Sequence, residues 1–191
     1  MKVTDNLKND ISNAPEWFFK SIESQVKKKK ITSADHAISY QTWGNKKHKN
    51  ILFFIHGTGA HMRWWDPIAP QFSKDSYVIA IDLPGMGDSA HRENYSFECF
   101  AKAIIDILNH EELLELDKNI IFVGHSLGGH VAGFVASEHP RIVDYLVMID
   151  TPIRPPDYDY AKHKSTGPLR MIKYYKDKES IINRFRLMPA Q

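Results

Sequence analysis

The 191-residue sequence contains one cysteine and no long apolar run. Because Cys99 has no second cysteine to pair with, an intrachain disulfide is excluded and a reducing compartment is expected. No apolar run approaches the roughly 18 residues that a membrane-spanning helix needs. The first thirty residues also lack the apolar stretch of a signal peptide. These absences lead us to expect a cytoplasmic protein with no membrane partner.

A large excess of charge of either sign is also lacking. Lys and Arg number 25 and Asp and Glu 23, and the net charge of +2 is too small to indicate a nucleic-acid partner. The one basic run, residues 27–30, is expected to be a solvated surface next to a strand. The ten histidines include no H-E-x-x-H pattern and no Cys/His cluster, so no metal site is predicted.

The sequence does contain alternating strand-like and helical patterns. Continuous apolar runs predict strands buried on both faces at residues 51–55, 77–81, 120–123 and 145–149. Shorter strands are expected near residues 30–33 and 36–43. Helical patterns begin at Pro15 and recur over residues 64–72, 96–108 and 127–135. The alternation predicts an α/β fold, with a mostly parallel sheet and helices on both faces.

The alternation stops after residue 150. Residues 151–156 are rich in proline, and a helical pattern follows from about residue 169 to residue 185 without another strand. We expect a core over residues 1–150 and the start of a helical cap or lid over residues 151–191. In a parallel sheet the site lies at the carboxyl ends of the strands, where such a lid could cover it.

A candidate nucleophile lies in the segment GHSLGG, residues 124–129, between a predicted strand and a predicted helix. A serine held on a tight strand-to-helix turn needs small neighbours, because the turn brings backbone segments together. The free N–H groups that open the helix point towards the reaction, so the Leu127 N–H could donate to an oxyanion. The pattern predicts that Ser126 is the nucleophile. A structural serine in a glycine-rich turn is the alternative.

Together with His56-Gly57-Thr58 and the segment DLPGMGDS at residues 82–89, the GHSLGG segment resembles the α/β-hydrolase superfamily. Residues 14–18, 64–66 and 184–187 are similar to a bacterial subgroup of it. The resemblance implies that the Thr58 N–H is a second oxyanion donor and that His56 braces its loop. It also implies an ester-like acyl transfer to water by Ser126, with a small-molecule substrate and no cofactor.

Two other interpretations of these motifs are weaker. The glycines of DLPGMGDS and Ala90 also satisfy the dinucleotide pattern G-x-G-x-x-A, but a polar stretch separates them from the next predicted helix. A serine at the elbow disfavours the epoxide-hydrolase and dehalogenase mechanisms, which need a carboxylate there. Hydrolysis of a C–C bond by the same residues stays open.

The remaining triad members are harder to place. The superfamily order is Ser, then Asp or Glu, then His, and this chain lacks the last strands that usually carry the second and third residues. Asp150 matches a less common acid position, with a loop-fixing carboxylate as the alternative. His163 is the histidine that could fold over Ser126, with a plain surface histidine as the alternative.

Three hypotheses therefore stay open. The chain is a shortened serine hydrolase, or a partner chain supplies the acid and histidine, or it is a truncated, non-catalytic ligand-binding protein that retains the fold. A sheet without its last strands has an exposed edge, which could lead to self-association.

Overall fold

The computed structural model describes residues 14–114, 117–155, 157, 176–177 and 180. One compact unit spans Glu16–Ile153. Its strands are β1 Lys27–Ser33, β2 His36–Trp43, β3 Asn50–Ile55, β4 Ser76–Ile81, β5 Asn119–His125 and β6 Tyr145–Ile149. Its helices are α1 Glu16–Ile22, α2 Phe97–His110 and α3 Leu127–Glu138. Each strand predicted from the sequence is present, whereas most of the predicted lid, including residues 158–175 and 181–191, lies outside the described residues.

The six strands form one mixed sheet in the order β1-β2-β4-β3-β5-β6. β2 pairs antiparallel with both β1 and β4, and the remaining neighbours pair in parallel. The predicted α/β fold with a mostly parallel sheet is therefore confirmed. Because β3, β5 and β6 run in the same direction, the loops after Ile55, His125 and Ile149 all leave the sheet at the carboxyl ends of the strands.

The two faces of the sheet are covered differently. On one face α2 and α3 contribute to the larger apolar cluster, including Phe100, Ile104 and Val131. The other face has a smaller cluster around Trp65 and Ala69. In the described part of the chain, no helix is long and apolar enough to cross a membrane.

The predicted helix over residues 64–72 is wrong in type. The structure has two short 3₁₀ turns there, Met62–Trp65 and Ala69–Phe72. Pro67 and Pro70 lack the backbone N–H that a continuous α-helix would use, and the proline ring clashes with the preceding turn. The apolar spacing was read correctly, but the two prolines limit the segment to 3₁₀ turns.

The burial predicted for residues 145–149 is also wrong. Tyr145, Val147 and Ile149 are 62%, 45% and 41% exposed. In the described sheet β6 pairs only with β5, so its far edge and much of its apolar surface are uncovered. The apolar run at residues 145–149 indicates a strand with apolar side chains on both faces, but it does not show whether other residues cover those faces.

The basic run at residues 27–30, expected to be a solvated surface next to a strand, is itself part of β1. Lys29 Nζ lies 2.6 Å from Glu111 Oε1, and the Glu111 side chain is buried. The hydroxyls of Tyr40 and Tyr77 also donate to this carboxylate, at 2.6 and 3.0 Å. Burial alone would raise the pKa of Glu111, but hydrogen bonds from Lys29 and the tyrosines outweigh it and hold the pKa below its usual value.

Candidate active site

Ser126 lies on the tight turn between β5 and α3, with a φ of 51° and a ψ of −116°. A serine rarely adopts a positive φ, and backbone strain of this kind persists only where the surrounding contacts enforce it. The Ser126 N–H donates to the Ile149 carbonyl at 3.0 Å, and its carbonyl accepts from the N–H groups of Gly129 and His130 at 3.0 and 3.2 Å. The strand, sharp turn and helix expected for a nucleophile elbow are therefore present.

The glycines around Ser126 are required by close backbone contacts. A β-carbon at Gly124 would collide with the Gly128 carbonyl, and one at Gly128 would collide with the Ile55 carbonyl at the end of β3. A β-carbon at Gly129 would collide with the Thr151 side chain. Small residues are thus needed next to Ser126, as predicted from the sequence, because α3 packs directly against the ends of β3 and β6.

The loop after β3 lies beside the serine. A β-carbon built on Gly57 would be 3.2 Å from Ser126 Cβ. Thr58 is exposed and follows Gly57, while Leu127 opens α3. Within the described residues neither the Thr58 N–H nor the Leu127 N–H has an acceptor. The structure brings the Thr58 loop and the elbow together, and the role of these two N–H groups as an oxyanion hole remains a prediction.

His56 braces the loop that carries Thr58. Its Nε2 accepts a hydrogen bond from the Leu83 N–H at 3.0 Å, so the proton is on Nδ1, which donates to the Gly57 carbonyl at 2.8 Å. The ring is buried, and burial lowers the pKa of His56. With both nitrogens occupied, the imidazole cannot accept a proton from Ser126 in this arrangement, as the sequence comparison implied.

The DLPGMGDS segment folds back on its own first residue. The buried carboxylate of Asp82 accepts from the Met62 N–H at 2.6 Å and from the Asp88 N–H at 2.8 Å. The next helix opens only at Phe97, where Ser96 caps it by accepting from the Cys99 N–H. A dinucleotide motif should open a helix directly, so this arrangement disfavours a dinucleotide site.

An apolar cavity of about 210 Å³ lies beside the elbow. It is lined by His56, Gly57, Trp64, Trp65, Ile68, His125 and Ile149. The exposed Trp64 ring stacks on His125, the residue before Ser126, with 6.3 Å between ring centroids. The sequence pattern places Trp64 and Ile68 on a helix face, and the family resemblance includes Trp64, but neither predicts this cavity. The adjacent aromatic pair directly after the Thr58 loop was the available signal.

The acid and the base are not assembled around Ser126 in the described residues. No hydrogen bond to the Ser126 hydroxyl is found there. Asp150 follows β6 and is exposed, with a φ of 45°. His130 lies on α3, whereas His163 is outside the described residues. In that described part, no group of three or more His, Cys, Asp or Glu side chains could hold a metal ion.

Known proteins resemble this chain in both sequence and fold. The family model described as "Alpha/beta hydrolase family" matches residues 52–189. The "Serine hydrolase-like protein" of Danio rerio is 32% identical over 111 residues, which cover 58% of this chain and 33% of that protein. "Epoxide hydrolase 4" of Mus musculus is 30% identical over 110 residues, covering 56% of this chain and 30% of that protein.

Among solved structures, the "Thioesterase Domain From Curacin Biosynthetic Pathway" is similar with a TM-score of 0.62 and 27% identity. The similarity covers 74% of this chain and 51% of that domain. The chain thus spans about a third of the two curated relatives. The family model nevertheless covers most of this sequence, including the elbow and the loop after β3. The chain therefore belongs to the alpha/beta hydrolase family.

Proposed function

We propose that the protein is a serine hydrolase that transfers the acyl group of an ester-type substrate to water. The observation that carries the proposal is the strained backbone of Ser126 at a strand-to-helix turn, beside the loop that holds Thr58. Backbone strain at such a turn is typical of a functional site. The family and the relatives named as serine hydrolase-like and thioesterase support the same chemistry.

In the proposed reaction Ser126 Oγ attacks the substrate carbonyl carbon while a histidine takes the hydroxyl proton. The N–H groups of Thr58 and Leu127 donate to the oxyanion of the tetrahedral intermediate. The histidine then gives the proton to the leaving alcohol, which departs and leaves an acyl-serine. Water adds to the acyl carbon with the histidine again as base, and the acid product and the free serine result.

The proton acceptor in this proposal is a histidine outside the described residues or on another polypeptide. A serine hydroxyl is a poor nucleophile at neutral pH without such a base. Loss of a triad member leaves only roughly 10³–10⁴-fold catalysis over water, supplied by binding and the oxyanion hole. Activity should therefore depend strongly on whatever supplies the histidine and its acid.

The substrate side of the proposal rests on the cavity next to Ser126. Its walls are mainly indole rings and aliphatic side chains, and both nitrogens of the His56 ring are occupied by backbone groups. An apolar acyl group fits such walls better than a charged one. Although one relative is named an epoxide hydrolase, a serine here disfavours a reaction that needs a carboxylate nucleophile.

A non-catalytic ligand-binding protein is the second candidate. It is favoured by one observation, namely that no described side chain is hydrogen-bonded to the Ser126 hydroxyl. In that case the apolar cavity would bind a ligand and the serine would stay unreactive.

Hydrolysis of p-nitrophenyl esters of increasing acyl length separates these candidates. The proposal predicts release of nitrophenol that Ser126→Ala abolishes and that Ser137→Ala, on the exposed face of α3, leaves unchanged. Equal rates for the wild-type protein and Ser126→Ala would reject the hydrolase. Quenching of tryptophan fluorescence by the same esters, without turnover, would favour the binding protein.

A further inference from the structure

We infer that Thr151 is a positioning residue that holds Ser126 in its strained conformation. The inference concerns the geometry of the elbow, and its consequence for reactivity rests on the proposed function. Thr151 follows β6 and is half-buried against the first turn of α3. Neither the sequence pattern nor the superfamily motifs point to this residue.

The contact is made by one hydroxyl group. Thr151 Oγ1 lies 3.1 Å from the Ile149 carbonyl oxygen and 3.3 Å from the Ser126 carbonyl oxygen, so its single hydrogen is shared between the two acceptors. The Ile149 carbonyl also accepts the Ser126 N–H at 3.0 Å. The two backbone polar groups of the nucleophile are thus tied to the end of β6, one directly and one through Thr151.

A second strained residue directs Thr151 onto the elbow. Asp150 has a φ of 45°, which turns the chain sharply at the end of β6. The Thr151 side chain then packs so closely on Gly129 that a β-carbon there would collide with it. Asp150 therefore acts as a turn residue through its backbone in this arrangement.

The consequence for reactivity follows from geometry. If the strained turn relaxes, the positions of the Ser126 Oγ and the Leu127 N–H change relative to the loop that carries Thr58. Misplacement of reacting groups by about 1 Å can cost on the order of 100-fold in rate. Because Gly129 and His130 also donate to the Ser126 carbonyl, loss of the Thr151 hydroxyl should have a smaller effect, about fivefold, as expected for one neutral hydrogen bond.

The test compares Thr151→Val, which removes the hydroxyl at similar volume, with Thr151→Ser, which keeps it. Amide hydrogen exchange at Ser126 reports the clamp directly, because that amide is bonded to the Ile149 carbonyl. The rate of labelling by a fluorophosphonate at saturating probe reports reactivity. Thr32→Val, on the exposed face of β1, is the matched control.

We expect Thr151→Val to speed exchange at Ser126 and to slow maximal labelling, each about fivefold, with unchanged probe affinity. Thr151→Ser and Thr32→Val should behave like the wild-type protein. The inference would be overturned if the Ser126 amide exchanged at the wild-type rate in Thr151→Val. It would also be overturned if that amide exchanged as fast in Thr151→Ser as in Thr151→Val. If Thr151→Val does not fold, Thr151→Ala is judged by the same criteria.

The two measurements also separate this inference from the proposed function. If the wild-type protein is not labelled at all while Thr151→Val still exchanges faster, the clamp stands and the hydrolase fails. If labelling depends on Ser126 but exchange at Ser126 is the same in every variant, the hydrolase stands and the clamp fails.

Discussion

At the residue scale, His56 links two loops at the carboxyl ends of the strands, where the candidate site lies. It donates to the Gly57 carbonyl, next to Thr58, and accepts from the Leu83 N–H in the loop after β4. A protonated ring could not accept from Leu83, because imidazolium has only donors. The fold therefore requires the neutral tautomer, and burial lowers the pKa of His56 accordingly.

A pH dependence of stability follows. In the unfolded chain His56 binds a proton at its ordinary pKa of about 6.5, whereas the folded protein binds it only at lower pH. Its contribution to the free energy of unfolding is therefore complete above about pH 6.5 and falls by up to about 1.4 kcal/mol per pH unit below it. Urea unfolding of the wild-type protein and His56→Gln at about pH 7, 6 and 5 measures this slope.

His56→Gln should be less stable at neutral pH and should show a flatter pH dependence. The exposed His139→Gln variant is the control and should keep the wild-type slope. An unchanged slope in His56→Gln would mean that the ring is not held neutral by the fold.

Short-range patterns were enough to predict some residues and not others. Ser126 and its glycines lie within six consecutive positions, so the need for small residues around the turn could be predicted from the sequence. Thr151 is 25 positions from Ser126, and their contact depends on β6 lying in register beside β5. Nothing local to Thr151 indicates that register.

At the element scale, Glu111 fixes the end of α2 to three strands. Glu111 directly follows the last residue of α2. Its carboxylate accepts hydrogen bonds from Lys29 of β1, Tyr40 of β2 and Tyr77 of β4. Burial and the nearby carboxylate raise the pKa of Tyr40, so its hydroxyl stays a donor. This network lies outside the candidate site and acts on the stability of the fold.

Glu111→Gln should lower the free energy of unfolding by about 1–3 kcal/mol, because it leaves buried donors with a weaker acceptor. Its neighbour Glu112 offers a matched control, since that carboxylate is exposed and makes only a surface ion pair with Lys46. Glu112→Gln should cost less than about 1 kcal/mol. Chemical denaturation of both variants measures the difference, and equal losses would contradict the role assigned to the network.

The elements themselves were predictable to different degrees. Strands β3 to β6 were predicted because each is a short apolar run rich in β-branched or aromatic residues. Ser96 indicated the start of α2 as a helix cap. Residues 64–72 were predicted as a helix because their apolar spacing is helical, but Pro67 and Pro70 limit the structure to two 3₁₀ turns. The pairing of Lys29 with Glu111 could not be predicted, because the two residues are 82 positions apart.

At the scale of the whole molecule, the two edges of the described sheet differ. β1, at one edge, begins with four consecutive lysines, which discourage pairing with another chain. β6, at the other edge, carries partly exposed tyrosine, leucine, valine and isoleucine side chains and no lysine. We propose that this chain self-associates through β6.

Sedimentation velocity over a range of concentrations tests that proposal. Val147→Lys places a charge at the centre of β6 and should raise the dissociation constant of the self-associated form at least about tenfold. Thr32→Lys adds the same charge to β1 and should leave association unchanged. A wild-type protein that stays monomeric at high concentration, or an equal effect of both variants, would reject association through β6.

The most direct measurement of the central claim is covalent labelling of the purified protein by a fluorophosphonate, with the modified peptide identified by mass spectrometry. We expect one adduct per chain on Ser126, absent in Ser126→Ala and retained in Ser137→Ala. Gly128→Ala should not be labelled, since a β-carbon there would collide with the Ile55 carbonyl and displace the elbow. A folded protein that is not labelled, or that is labelled elsewhere, would contradict the assignment of Ser126 as an activated nucleophile.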